Sequence, residues 1–277
     1  MTFERAKVMG ILNVTPDSFY SESRASEEDK IEERIREIEE QGADIIDIGG
    51  CSTRPGSESV SAEEEWARVK RALEIMKTSG CSLPVSLDTF RAEIARRGVE
   101  EYGVAIINDI SGGSLDAEMF KTVGRLQVPY VLTHMRGTPH TMQQFADYND
   151  VVAEVIKELS WKANELHSLG VNDVIIDPGF GFAKTAVQNF RLLGALDQVC
   201  AMGMPVLAGV SRKSFITRAL GCEPAEALAG TLAAETIALM KGASILRVHD
   251  VKQAVEIVTI AEKTKGPELE EAMATGL

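Results

Sequence analysis

A single-domain α/β chain folded as a TIM (β/α)8 barrel over residues 1–277 is predicted by three observations. Short aliphatic or β-branched runs alternate with longer segments of helical period, the runs number eight, and no linker or low-complexity break divides them. Eight such units in 277 residues fit a barrel whose typical size is about 250 residues. An open doubly wound sheet is the competing architecture. It usually carries a glycine-rich nucleotide turn after its first strand, where this chain reads NVTPDSF.

The elements follow in order. VMGILNV (8–14) is the first strand candidate, and EDKIEERIREIEEQ (28–41) spaces Ile31, Ile35 and Ile38 at helical intervals before Gly42 closes it. DIIDIG (44–49) is the second strand. AEEEWARVKRALEIMKTS (62–79) is the next helix, with Ser61 and the glutamates behind it forming a capping box. PVSLD (84–88), AIIND (105–109) and YVLTH (130–134) are short buried strands, and DVVAEVIKELSWKANELHSL (150–169) is a long helix ended by Gly170. VIIDP (174–178), PVLAGV (205–210) and ILRVH (245–249) complete the strands. PAEALAGTLAAETIALMK (224–241) and DVKQAVEIVTIAEKT (250–264) supply the last helices.

Composition excludes several function classes. Lys and Arg number 29 against 42 Asp and Glu, a net charge of −13, which argues against a nucleic-acid or anionic-membrane surface. An anionic ligand therefore needs a local basic cluster. No run approaches the length of a membrane span, and the opening MTFERAKVMG is too charged for a signal peptide, so a cytoplasmic protein is expected. Cys51, Cys81, Cys200 and Cys222 lie far apart without a CxxC pair, and free thiols are expected.

In a barrel of this kind, chemistry sits where the strands end. Those ends carry Asn13, the Gly49-Gly50 step into CSTRPG, Asp88, Asn108, His134, Asp177, Ser211-Arg212-Lys213, and Arg247 with His249. So many polar ends converging on one pocket would be left unsatisfied without a ligand. Asp88, Asn108 and Asp177 suit a flat heterocycle bearing amino and ring N–H groups. Lys213, Arg247, His249 and Arg54 form a basic side suited to a phosphate or diphosphate. An organic ring carrying a phosphate ester is the substrate class inferred.

The segments MGILNVTPDSF (9–19), GCSTRPG (50–56), SLDT (86–89), IINDI (106–110), HMRGTPHTMQ (134–143), DPGFGFAK (177–184), GVSRKS (209–214) and RVHD (247–250) closely resemble, in order and spacing, the signature segments of the dihydropteroate synthases. The resemblance covers Val8 to about Lys263. It implies a transferase of folate biosynthesis, a sulfonamide target, that joins 6-hydroxymethyl-7,8-dihydropterin diphosphate to p-aminobenzoate. It also implies Mg²⁺ as cofactor and a homodimer, for which the segment 224–240, rich in small and apolar residues, is a candidate surface. Residue by residue, it places Asp177 on the pterin 2-amino and N3–H groups, Asp88 and Asn108 on the far side of the ring, and Lys213 on the pterin carbonyl and N5. Ile110, Met135 and Gly209 join the pterin pocket. Asn13, Arg247 and His249 hold the diphosphate, Asn13 also touches Mg²⁺, and Arg54 joins when its loop closes. Phe19, Thr53, Pro55, Phe182 and Ser214 form the p-aminobenzoate subsite. Arg54, Asp88, Lys213 and Arg247 are the catalytic set.

No Ser-His-Asp set, activated cysteine or Schiff-base lysine is evident, so leaving-group stabilisation in a dissociative displacement is the expected mechanism. Two stretches depart from the family's usual pattern. Tyr20-Ser21-Glu22-Ser23 stands where Ser-Asp-Gly-Gly is usual after TPDSF, and Gly50-Cys51-Ser52 replaces Gly-Glu-Ser. A pterin-binding methyltransferase and a non-catalytic pterin-binding paralogue remain the other two readings. The basic SRKS and RVHD segments distinguish the first of these from the synthase, and a turnover assay distinguishes the second.

Overall fold

Parallel strands buried on both faces need apolar side chains in both directions, and the runs found in the sequence meet that need. The computed structural model describes residues 3–15, 24–51 and 60–265. Among them, strands β1 (Lys7–Asn13), β2 (Ile45–Gly49), β3 (Val85–Asp88), β4 (Ile106–Asp109), β5 (Tyr130–Thr133), β6 (Val174–Asp177), β7 (Leu207–Ala208) and β8 (Ile245–Val248) form one sheet. Its order is β6-β5-β4-β3-β2-β1-β8-β7, all neighbours parallel. A single parallel bridge between Ile176 and Val206 closes it into a barrel, with the Ile176 amide donating to the Pro205 carbonyl at 2.8 Å.

The helices are α1 (Arg24–Glu40), α2 (Ala62–Ser79), α3 (Ala92–Tyr102), α4 (Met119–Leu126), α5 (Val151–Ser168), α6 (Ala186–Gly194), α7 (Leu196–Cys200), α8 (Ser214–Leu220), α9 (Leu228–Met240) and α10 (Val251–Lys265). Outward-facing strand residues such as Leu12, Ile46, Leu87, Leu132, Ile176 and Leu246 pack against helix residues such as Ile35, Val69, Ile94, Leu159, Leu192 and Val258 in one continuous core. Ser61 caps α2 as expected, its hydroxyl accepting from the Glu64 amide at 3.1 Å.

Two elements differ from the sequence expectation. The expected strand 205–210 is reduced to Leu207–Ala208, because Pro205 has no N–H to give a ladder and the chain turns at Val210, whose carbonyl accepts from the Lys213 amide. The expected helix 224–241 begins as a 3₁₀ turn, Pro224–Glu226, and becomes α-helical only at Leu228. Arg212 takes up the Pro224 and Ala225 carbonyls at 2.7 and 2.9 Å, so they are engaged outside the helix. All four cysteines are free thiols. No helix among the described residues is long and apolar enough to cross a membrane.

Candidate active site

Side chains alternate along a strand, so each strand feeds the barrel interior at every second residue. Met9, Ile45, Ile106, Val131, Ile175, Leu207 and Ile245 form an apolar interior layer. Two residues further along come Asp47, Asn108, Thr133, Asp177 and Arg247, with Ile11 after Met9 and Gly209 after Leu207, and Asp88 follows Ser86 by the same step. The interior thus changes from apolar to polar within one layer, at the C-terminal ends of the strands.

The polar layer is held together by charge. Arg247 donates through Nε to Asp47 Oδ2 and through Nη2 to Asp88 Oδ2, both at 2.7 Å. The Asn108 amide lies 3.3 and 3.2 Å from the two Asp47 oxygens. A methyl group built on Gly49 would touch Asp88 Cβ at 3.4 Å and Asn13 Oδ1 at 3.6 Å, so Asn13 and Asp88 flank the same bare backbone. Burial opposes the Arg247 charge, but Asp47 and Asp88 outweigh it and raise the guanidinium well above its ordinary range. Burial also pushes the Asp88 carboxyl upward against the pull of Arg247, and Asp47 and Asp109 add to the push.

The other side of the layer is the turn after β6. Asp177 Oδ1 accepts the Gly179 amide at 2.8 Å, which folds the chain back on itself. Gly179 has φ +71°, and a Cβ there would lie 2.0 Å from the His134 carbonyl, so only glycine fits. Lys213 reaches across to donate to the Phe180 carbonyl, and its ammonium sits 4.5 Å from the centre of the Phe182 ring. Burial raises the Asp177 carboxyl and lowers the Lys213 ammonium to about 8, while each favours the other's charge. Phe180 is fully buried and stacks on Phe215, whereas Phe182 is half-buried.

A family model described as pterin binding enzyme matches residues 9–249. A dihydropteroate synthase from Synechocystis is 40% identical over 262 residues, covering 94% of this chain and 90% of the relative. The chain belongs to the dihydropteroate synthase family. A crystal structure of a dihydropteroate synthase from Clostridium difficile in the presence of pteroic acid superposes with a TM-score of 0.88 at 33% identity, covering 94% of this chain and 97% of that one. The folic acid synthesis protein of Schizosaccharomyces pombe is 42% identical over 92% of this chain, which spans 36% of that longer protein.

The structure places most of the residues expected at the site around the polar layer. Asn13, Asp88, Asn108 and Arg247 meet on one side of the polar layer, and Asp177, Phe182 and Lys213 on the other. Gly209 is buried, 4.0 Å from Arg247 Cβ if given a side-chain carbon. Ile110 is buried one residue past β4, His249 lies 3.0 Å from the Ser211 hydroxyl, and Ser214 is exposed as the first residue of α8. Met135 packs with Met142, Ala183, Leu115 and Phe182 beside the layer, while the β5 residue in the layer itself is Thr133, whose buried hydroxyl has no hydrogen-bond partner. Phe19, Thr53, Arg54 and Pro55, with the departures at 20–23 and Ser52, lie outside the described residues.

Asp47 and Lys184 were not expected. Asp47 was legible, since it stands two residues after Ile45 and must face the same interior. Lys184 ended the DPGFGFAK segment with nothing local to mark it as buried.

Proposed function

We propose that the protein joins 6-hydroxymethyl-7,8-dihydropterin diphosphate to p-aminobenzoate, forming 7,8-dihydropteroate and releasing diphosphate. The observation that carries this reading is the polar layer, in which the buried acids Asp47, Asp88 and Asp177 and the Asn108 amide face the half-buried cations Lys213 and Arg247 at the C-terminal end of one barrel. Asp177, with Asp88 and Asn108, takes the flat donor-rich pterin. Lys213, lowered to about 8, still carries its proton in most molecules at pH 7 and donates to the ring carbonyl and N5.

The diphosphate side is assigned to Asn13, Arg247 and His249, which come from the neighbouring strands β1 and β8 and the residue just past β8. The bond from the pterin methylene to the diphosphate oxygen breaks with its electron pair going to diphosphate. The new bond forms from the lone pair of the aromatic amine, which then loses a proton. Positioning and charge stabilisation suffice for such a step, because the amine is a neutral nucleophile at pH 7. Among the described residues no three His, Cys, Asp or Glu side chains gather as a metal cage. Mg²⁺ binds through few protein oxygens and substrate phosphates, and the Asn13 side-chain oxygen, beside Gly49 and Asp88, is the one we assign to it. When bound, Mg²⁺ supplies charge neutralisation for the leaving diphosphate.

We further assign the protein to the cytoplasm and to a homodimer. The reading is tested by a coupled assay for diphosphate release with both substrates and Mg²⁺. Release that needs both substrates is expected. Pterin binding without release would leave a binding paralogue instead.

A further inference from the structure

We propose that Lys184 is a positioning residue for the substrate-binding turn, held in place by His134 and Glu158. The inference rests on the functional reading above and extends it to residues behind the pocket.

Lys184 is 3% exposed, yet its ammonium has three partners: His134 Nδ1 at 3.0 Å, the Gly179 carbonyl at 3.0 Å and the Phe182 carbonyl at 3.1 Å. An ammonium has three N–H donors and no acceptor, so this set is complete. Because Nδ1 must accept from the ammonium, the second imidazole nitrogen, Nε2, carries the proton and donates to Glu158 Oε2 at 3.0 Å. The imidazole is neutral in this arrangement, and burial, with Lys184 beside it, lowers it to about 4. Glu158 is fixed in turn by Arg136, which also holds Glu154 at 2.9 Å and stacks on Tyr148 at 4.0 Å. A chain of contacts therefore runs from helix α5 through His134 to the turn.

The two carbonyls that Lys184 holds belong to different ends of that turn. Gly179 is the residue whose amide binds Asp177, and Phe182 is the residue whose ring faces Lys213. One ammonium thus fixes the distance between the residue assigned to the pterin and the residue assigned to p-aminobenzoate. Ala183, between Phe182 and Lys184, has φ +47° and is fully buried, a conformation that a non-glycine residue keeps only when its surroundings impose it. Lys184 touches no substrate position. It acts through the turn, by tying the Phe182 carbonyl to the Gly179 carbonyl, which also accepts the Phe182 amide at 3.1 Å.

The test compares the parent enzyme with Lys184→Met, His134→Leu and His134→Gln. Gln offers both a carbonyl acceptor and an amide donor, and Leu offers neither. Titration calorimetry with 6-hydroxymethylpterin, thermal unfolding, and steady-state kcat and KM for both substrates are measured. For Lys184→Met, a loss of at least tenfold in pterin affinity and in kcat/KM is expected, most of it in KM and falling on both substrates. His134→Leu should behave likewise, and His134→Gln should recover most of the affinity. A folded Lys184→Met protein that binds pterin within threefold of the parent overturns the inference. So does equal affinity of the two His134 variants, which decides the matter if Lys184→Met fails to fold. A parent that binds no pterin overturns the functional reading itself and is distinguished by that control.

Discussion

Asp177 serves the fold and the ligand with one carboxylate. One oxygen fixes the Gly179 turn, and burial raises the carboxyl's pKa while Lys213 and Arg247 pull it back down. Asp177→Asn keeps the size and an acceptor for Gly179 but removes the charge that two pterin N–H groups would share. A hydrogen bond to a charged group contributes about 1.5–3 kcal/mol, so a ten- to hundredfold or greater loss of pterin affinity is expected, with little change in melting temperature. Calorimetry returning the parent's affinity would remove Asp177 from the pocket. The sign with pH is also fixed. Since burial raises its pKa, the parent's pterin affinity should fall as pH drops through a range above that of an ordinary aspartate. At this scale, legibility depended on distance along the chain. Asp88, Asn108, Asp177 and Arg247 could be read because each stands at the end of its own strand. The clamp on Lys184 could not, since His134 lies fifty residues away and its nearness exists only once β5 and β6 pair.

Helix α9 shows what an element-level reading misses. Its sequence, rich in alanine and leucine, reads as a helix packed on the barrel, and Ala234, Ala238 and Leu239 are indeed buried there. Glu235 is buried among them at 1% exposure, and neither carboxylate oxygen has a hydrogen-bond partner. Burial, helped by Asp250, raises its pKa from 4.5 to about 8. The folded chain therefore holds a proton that the unfolded chain releases. This contribution is fully present below pH 4.5 and is lost as pH rises to about 8, a change on the order of 3–5 kcal/mol. Glu235→Gln cannot ionise, so its stability relative to the parent should grow between pH 5 and pH 8. Urea unfolding at the two pH values measures this, and an equal difference at both would show that Glu235 is not the proton-binding group. The same helix carries the boundary error of the sequence reading. The start at Pro224 looked like an ordinary first turn, and the side chain that diverts its carbonyls, Arg212, belongs to another unit.

At the scale of the molecule, the barrel has two cores, one inside the strands and one between strands and helices. Strand count and order followed from the repeated pattern, because eight equal units leave a closed barrel as the arrangement that covers both faces of every strand. The outer surface is less uniform. Val187 and Phe190 on α6, Leu220 on α8, and Ile237 and Met240 on α9 are exposed, and these helices are neighbours. A homodimer through this face is the expected assembly, measured as twice the chain mass by light scattering at micromolar concentration, and a monomeric mass would refute it. The ring of strands is also unequal around its circumference. β1 and β2 share five paired positions, Met9 with Ile45 through Asn13 with Gly49, whereas β6 and β7 meet at one. That thinnest join lies directly beneath Asp177 on one flank, and on the other the chain leads on to Lys213. A molecule gripped by both would act as a rivet across the join, so amide exchange at Ile176 should slow when a pterin is bound, by a larger factor than at Ile46 on the far wall.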